Sequence, residues 1–185
     1  MKKLIVLLRT MLPAMAVAMG VIQLRAGDLG ASVRARIDEK IAEIKTWAAD
    51  PLVVAAVVAH NTSLSPAEAT MTQERWKTLI AIDPFVRAYV KNEAAAVLKA
   101  HKKAWVAEAF VNDAKGYKVA FFSKTTNWCH AKMPKHEVPM TGKVWQGQPA
   151  VDASSGVLEM QISVPVLKDG QPIGSLVVGL GLSDL

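Results

Sequence analysis

Apolar residues recur every three or four positions between Ala31 and Ala49. This spacing places them on one face of a helix, with Arg34, Asp38 and Lys45 among the residues on the opposite face. The apolar residues are Val33, Ile37, Ile41, Ile44 and Ala48. The pattern predicts one long amphipathic helix that must bury its apolar face against another element.

Helix start signals recur along the residues that follow and predict several shorter helices. Most combine a side chain that can cap a helix with a proline in the first turn or a glutamate three residues later. The capping residues are Asp50, Ser65, Thr72, Asp83 and Asn92. We therefore expect residues 27–103 to form an entirely helical half.

The hydrophobic period changes at Ala104, where alternating strand-like segments replace the helical pattern. The predicted strands are 105–113, 117–123, 149–153, 157–167 and 172–182. Most are joined by tight turns that contain glycine, so we expect a five-stranded antiparallel sheet over residues 104–185. Helices first and strands afterwards predict an α+β domain, with the long helix across one face of the sheet. We expect segment 124–147 to cover the other face.

Residues 1–26 have the pattern of a secretory signal: lysines 2 and 3 come first, an apolar run from Met11 to Leu24 follows, and Ala18 and Ala26 are candidate cleavage sites. An uncleaved membrane anchor from Leu4 to Leu24 is the alternative, although Arg9 and Pro13 weaken it. Both interpretations place residues 27–185 outside the cytoplasm, which indicates a periplasmic protein that is soluble or tethered to the inner membrane.

Charge and cysteine content narrow the function classes. The formal net charge is +6, but residues 1–26 contain four basic and no acidic residues, so the remainder has 18 basic against 16 acidic residues and a charge of +2. This balance does not predict nucleic-acid binding. The single cysteine, Cys129, excludes a disulfide within one chain.

The order of the turns and strands resembles the extracytoplasmic Cache fold, the PAS-like (PDC-type) sensor domain of bacterial chemoreceptors and sensor kinases. Segments 108–116 and 119–123 are similar to the first hairpin and second strand of that family. Segments 152–156, 162–166 and 169–179 are similar to its last strands and their turns. A long helix before the sheet is also typical of the family.

The resemblance implies a single Cache domain over residues 27–185 that binds a small-molecule ligand, without cofactor or catalysis, in signal transduction or chemotaxis. It implies a membrane receptor or kinase as an optional partner, and a homodimer through the long helix as another option. Amino-acid-binding members carry an Arg after the second strand, and segment 124–138 has none. Amino-acid specificity is therefore not carried over.

The candidate ligand-binding residues lie on the strands and on the long segment between them. Trp128 and Trp145 bracket that segment and either line a pocket or plug the sheet as ordinary core. Asp152 either stabilises its own turn or contacts a ligand. The other candidates are Phe121, Ser123, Lys143, Gln161 and Ser163, of which Gln161 lies at mid-strand on the polar side.

Six lysines and one carboxylate lie between Lys115 and Lys143, and this favours a small anionic solute such as a carboxylate. Cys129, His130 and His136 match no zinc or haem spacing, so we expect no metal. The alternative function, from a different class, is an exported structural or interaction protein whose sheet face binds a protein partner.

Overall fold

The computed structural model describes residues 30–151 and 156–185. The predicted signal peptide or anchor, residues 1–26, lies outside the described residues, as do Asp152 and most of its turn. None of the helices in the described ranges is long and apolar enough to cross a membrane.

The helical half begins with the predicted long helix, α1, and continues through five shorter helices up to residue 100. The five predicted capping side chains each accept a hydrogen bond from a backbone N–H of the first turn, so the start signals are confirmed. The helices are α1 (Ala31–Ala48), α2 (Pro51–Thr62), α3 (Pro66–Ala69), α4 (Gln73–Thr78), α5 (Pro84–Lys91) and α6 (Glu93–Ala100).

The second half is an antiparallel sheet, and within the described residues it has six strands instead of the predicted five. They are β1 (Val106–Asp113), β2 (Lys118–Phe121), β3 (Trp145–Gln146), β4 (Ala150–Val151), β5 (Leu158–Lys168) and β6 (Gln171–Gly181). The order is β2-β1-β6-β5-β3, with β4 also paired to β5. The additional strand is β3, which has two residues and therefore no alternation that a pattern could reveal.

One apolar layer joins the sheet to α1, as predicted, and also to α2. Ile44 and Trp47 of α1 pack in the same cluster as Met160 and Ile162 of β5. These strand residues alternate with the polar residues of β5, so the apolar side of β5 faces α1. The α+β arrangement predicted from the sequence is confirmed.

A second apolar layer covers the opposite face of the sheet. Phe110, Phe121 and Val177 of the sheet pack there with Trp76 of α4 and Tyr89 of α5. Segment 124–147 also contacts this face, through the short helix α7 (Pro134–Glu137) and a 3₁₀ turn at Pro139–Thr141. The expected cover is therefore only part of the layer, because α4 and α5 supply the rest.

The first layer makes a direct prediction for stability. Ile44 is fully buried, and Lys45 beside it on α1 is exposed. The substitution Ile44→Ala should lower the free energy of unfolding by about 2–5 kcal/mol, because it leaves a cavity against β5. The control Lys45→Ala should change it by less than about 0.5 kcal/mol. Urea unfolding followed by circular dichroism measures both, and equal effects would refute the packing described.

Candidate functional site

Three neighbouring strands present polar side chains on the face turned away from α1, here called the outer face. Glu108 of β1 pairs with Gly179 of β6, and Gly179 pairs with Gln161 of β5. Directly paired residues point to the same side of a sheet, so these three residues form one row across it. Two residues along β5 from Gln161, Glu159 lies on the same face.

The absence of a side chain at Gly179 makes room for two carboxylates. A Cβ atom at this position would lie 2.2 Å from Glu159 Oε2 and 2.9 Å from Glu108 Cγ. Real side chains do not approach so closely, so any other residue would displace the glutamates. Gly179 is therefore the position that brings Glu108 and Glu159 together on the outer face.

A lysine from the segment above the sheet completes this set. Lys135 lies on α7, and its Nζ donates a hydrogen bond to Gln161 Oε1. Gln161 Nε2 in turn donates to Glu108 Oε1, and to Glu159 Oε1 at 3.2 Å. An ammonium group, an amide and two carboxylates are thus connected between the sheet and its cover.

Two adjoining cavities open at this set and are together called the cleft. One has a volume of about 210 Å³ and is bordered by Phe110, His130 and residues 125–127. The other has about 280 Å³ and is bordered by Trp145 and Glu159. Both are lined by Lys135 and Gln161. The cleft has the size and the few convergent polar groups of a small-solute site.

Beneath the cleft, Lys118 is fully buried on β2. Its Nζ donates to Asn112 Oδ1 at 2.6 Å, contacts His130 Nδ1, and lies 4.1 Å from the ring centroid of Phe110. Burial lowers the pKa of Lys118 well below its usual value, although the charge of Glu108 acts in the opposite direction. Burial, together with the charge of Lys118, lowers the pKa of His130 to about 2.

The network continues from Asn112 along the sheet. Asn112 Nδ2 donates to Ser175 Oγ at 2.9 Å, and Ser175 Oγ lies 2.9 Å from His136 Nδ1. His136 Nε2 lies 3.3 Å from the carbonyl oxygen of Ala114. Burial lowers the pKa of His136. These contacts attach α7, which carries Lys135, to the sheet and so position the cover of the cleft.

The structure brings only part of the predicted site together. Gln161 and Trp145 line the cleft. Ser163 is buried and donates to the carbonyl oxygen of Leu176, whereas Ser123 and Lys143 are exposed. Asp152 lies outside the described residues.

The remaining two candidates, Phe121 and Trp128, are buried in the second apolar layer. Trp128 contacts the rings of Trp76, Tyr89 and Phe85 at centroid distances of 5.3, 5.5 and 5.5 Å. These ring contacts correspond to the core interpretation of Trp128.

Sequence reasoning missed Glu108 and Lys135 as cleft residues. Alternation along β5 predicts that Glu159 lies on the polar side with Gln161, where a ligand could bind. Strand alternation carried a similar signal for Glu108, because it shares the parity of Phe110 on β1. No comparable signal existed for Lys135, which is one of six lysines in its region of the sequence.

The residues considered for a metal take separate partners. Cys129 Sγ lies 3.5 Å from the carbonyl oxygen of Lys115, His130 contacts Lys118, and His136 contacts Ser175. Within residues 30–151 and 156–185, no group of three or more His, Cys, Asp or Glu residues could hold a metal ion.

No family model and no curated protein matches the chain. Solved structures do resemble it. The sensor domain of the V. cholerae histidine kinase DctB is 15% identical, with a TM-score of 0.37 over 82% of this chain and 58% of that one. The ligand-binding domain of the Pseudomonas aeruginosa PAO1 amino acid chemoreceptor PctC, in complex with GABA, is 11% identical. Its TM-score is 0.45 over 83% of this chain and 56% of that one.

A third structure is the ligand-binding domain of the Pseudomonas fluorescens chemoreceptor CtaA in complex with L-leucine. It is 18% identical, with a TM-score of 0.39 over 83% of this chain and 61% of that one. This chain therefore spans less than two thirds of each of the three structures. All three are sensor or ligand-binding domains.

The protonation state of His130 is a testable consequence of its burial. Because its pKa is lowered to about 2, the ring should stay neutral from about pH 4 to about pH 8. The ¹⁵N resonances of its ring nitrogens should therefore keep the values of a neutral imidazole over that range. The variant His130→Gln assigns the resonances by their loss. A titration midpoint between about pH 5 and about pH 7 would contradict the buried contact with Lys118.

Proposed function

We propose that this chain is an extracytoplasmic sensor domain of the Cache type that binds a small polar solute in the cleft. The observation that supports this most directly is the hydrogen-bonded set of Lys135, Gln161, Glu108 and Glu159, which lines a cavity between the sheet and its cover. Polar groups that converge on a concave site are what orient a small ligand. The proposed activity is binding, without a chemical step.

The charges at the cleft indicate the chemistry of the solute. Of the six lysines that favoured an anion, Lys115, Lys132 and Lys143 are exposed. Lys135 lines the cleft and is the group that would bind the carboxylate of the expected anionic solute. Glu108 and Glu159 would at the same time attract a cationic group. A solute with both a carboxylate and an amine therefore suits the cleft better than a carboxylate alone.

The proposed signal passes through β5 to the long helix. Gln161 faces the cleft, and its neighbours Met160 and Ile162 on the same strand pack in the layer that contains Ile44 of α1. A shift of β5 when a solute binds would change the packing under α1, because a close-packed layer transmits small displacements. α1 is therefore the proposed output element, either to a tethered receptor module or to a separate partner.

The alternative function, a sheet face that binds a protein partner, requires an outer face without a cavity. The region around Trp128 meets this requirement, because its side chain is buried among other rings. The region around Trp145 does not, because it borders a cavity of about 280 Å³. The cleft is the observation that favours solute binding over this alternative.

Thermal shift and titration calorimetry on the protein without residues 1–26 test the proposal. The solute panel should contain organic acids, amines, and compounds with both groups. We expect a compound with both groups to raise the melting temperature, because it binds only the folded state. If only simple amines bind, the solute's carboxylate has no role in binding. If no member of the panel stabilises the protein, the proposed class of solute, with a carboxylate and an amine, is wrong.

Variants locate the binding site once a solute is found. Glu108→Gln and Lys135→Met should each weaken binding by about tenfold or more, because each removes a hydrogen bond to a charged group worth about 1.5–3 kcal/mol. Lys115→Met is the matched control, since Lys115 is exposed and borders neither cavity of the cleft. Its affinity should equal that of the unmodified protein. Unchanged affinity in both cleft variants would place the site elsewhere.

A further inference from the structure

A histidine at the end of α2 lies between two carboxylates and borders neither cavity of the cleft. His60 Nδ1 is 2.9 Å from Asp113 Oδ2 at the end of β1. His60 Nε2 is 3.2 Å from Glu68 Oε1 on α3. One imidazole ring therefore joins three elements: α2, α3 and β1.

Both carboxylates are held in place by other donors. Asp113 Oδ1 accepts from the backbone N–H groups of Lys115 and Tyr117, at 2.9 and 2.8 Å. Glu68 Oε1 accepts from the Tyr89 hydroxyl at 2.5 Å, and Oε2 accepts from the Ser65 N–H at 2.6 Å. The acceptors that face the two nitrogens of His60 are therefore fixed independently of the histidine.

A neutral imidazole has one N–H, and a protonated imidazole has two. Only the protonated ring can donate to Asp113 and to Glu68 at the same time. In the neutral ring, the lone pair of one nitrogen would face a carboxylate oxygen, and this contact is repulsive. The geometry of the three side chains thus requires a bound proton.

We propose that His60 is a proton-dependent latch that fastens α2 to α3 and to the turn after β1. Loss of the proton removes the charge from both ion pairs and leaves the ring with one N–H. One of the two hydrogen bonds is then lost, and this loosens α3 or the turn from the end of α2. The latch borders a groove of about 860 Å³ that is also lined by Ala59, Phe85 and Ala88. Movement of α3 would change the width of this groove, so pH controls the packing of the helical half.

The surrounding charges support this proposal. Burial lowers the pKa of His60, but hydrogen bonds and charges from Asp113 and Glu68 outweigh it, so that the pKa is raised above 6.5. Tyr89 of α5 stays neutral, because burial and Glu68 raise its pKa. The remaining charged residues that line the groove are Lys91 of α5 and Glu93 of α6.

The sign of the pH effect follows from the raised pKa. The stabilisation from His60 is complete below pH 6.5, the ordinary value, and is lost as the pH rises through the higher folded-state value. Glu68 acts at the acid end: burial raises its pKa, but the hydrogen bonds from Tyr89 and Ser65 lower it to a net value below 4.5. Glu68 therefore remains ionised wherever His60 titrates.

An NMR titration of the His60 Cε1–H resonance in the protein without residues 1–26 tests the latch directly. We expect a midpoint above 6.5, and a shift of that midpoint to lower pH in Asp113→Asn, which removes one of the two charges. A midpoint at or below 6.5 in the unmodified protein would overturn the proposal. This measurement needs no variant at His60 and therefore stands even if such a variant fails to fold.

Urea unfolding at about pH 6 and about pH 9 gives a second, independent test. Between these two pH values, the urea concentration at the midpoint of unfolding should fall further in the unmodified protein than in His60→Gln. Asn61→Ala is the matched control. Asn61 fastens the same helix end through uncharged bonds, to the Ile173 carbonyl oxygen and from the Ala114 N–H. Asn61→Ala should lower the midpoint equally at both pH values. If the midpoint depends on pH to the same extent in the unmodified protein and in His60→Gln, the latch is refuted.

Discussion

The burial of both faces of one antiparallel sheet is the constraint on which the rest of the structure depends. Strands β1, β6 and β5 direct alternate side chains into the layer beneath α1 and α2 and into the layer formed by α4, α5 and segment 124–147. A polar side chain on either face therefore needs a partner within the protein. On the outer face Ser163 bonds to a backbone carbonyl oxygen, whereas Gln161, Glu108 and Lys135 bond to one another through their side chains. The cleft is the place where these side chains converge.

The same constraint explains why the pKa values of buried basic side chains shift in different directions. Lys118 and His130 lie between the sheet and its cover, where burial is the largest influence on their pKa values and lowers both. His60 is also partly buried, but its two nitrogens face Asp113 and Glu68, and its pKa is raised. The two carboxylates within hydrogen-bond distance of His60 account for the opposite direction of its pKa shift. His130 and His136 thus suit a neutral interior, whereas His60 suits a response to pH.

Much of the fold was predictable from local sequence. The helix starts followed from capping residues such as Asp50 and Ser65, whose hydrogen bonds involve residues two or three positions away. The long strands followed from alternation over many residues. The short strand β3 and the position of α4 and α5 on the outer face were not predictable, because neither depends on a local pattern. Trp128 shows the same limit: its residue type suits both a pocket wall and a core, and its ring contacts with Trp76, Tyr89 and Phe85 depend on distant parts of the sequence.

The sequence by itself determined the order of helices and strands, the faces of α1 and β5, and the parity that places Glu159 and Gln161 on the polar side. These features depend on periods and caps that extend over a few residues. Only the tertiary structure decided that Gln161 meets Glu108, 53 positions away, and Lys135, 26 positions away. Such contacts depend on the order β1-β6-β5 and on the register between those strands. Order and register arise from the packing of the whole sheet, so no local stretch of sequence contains them.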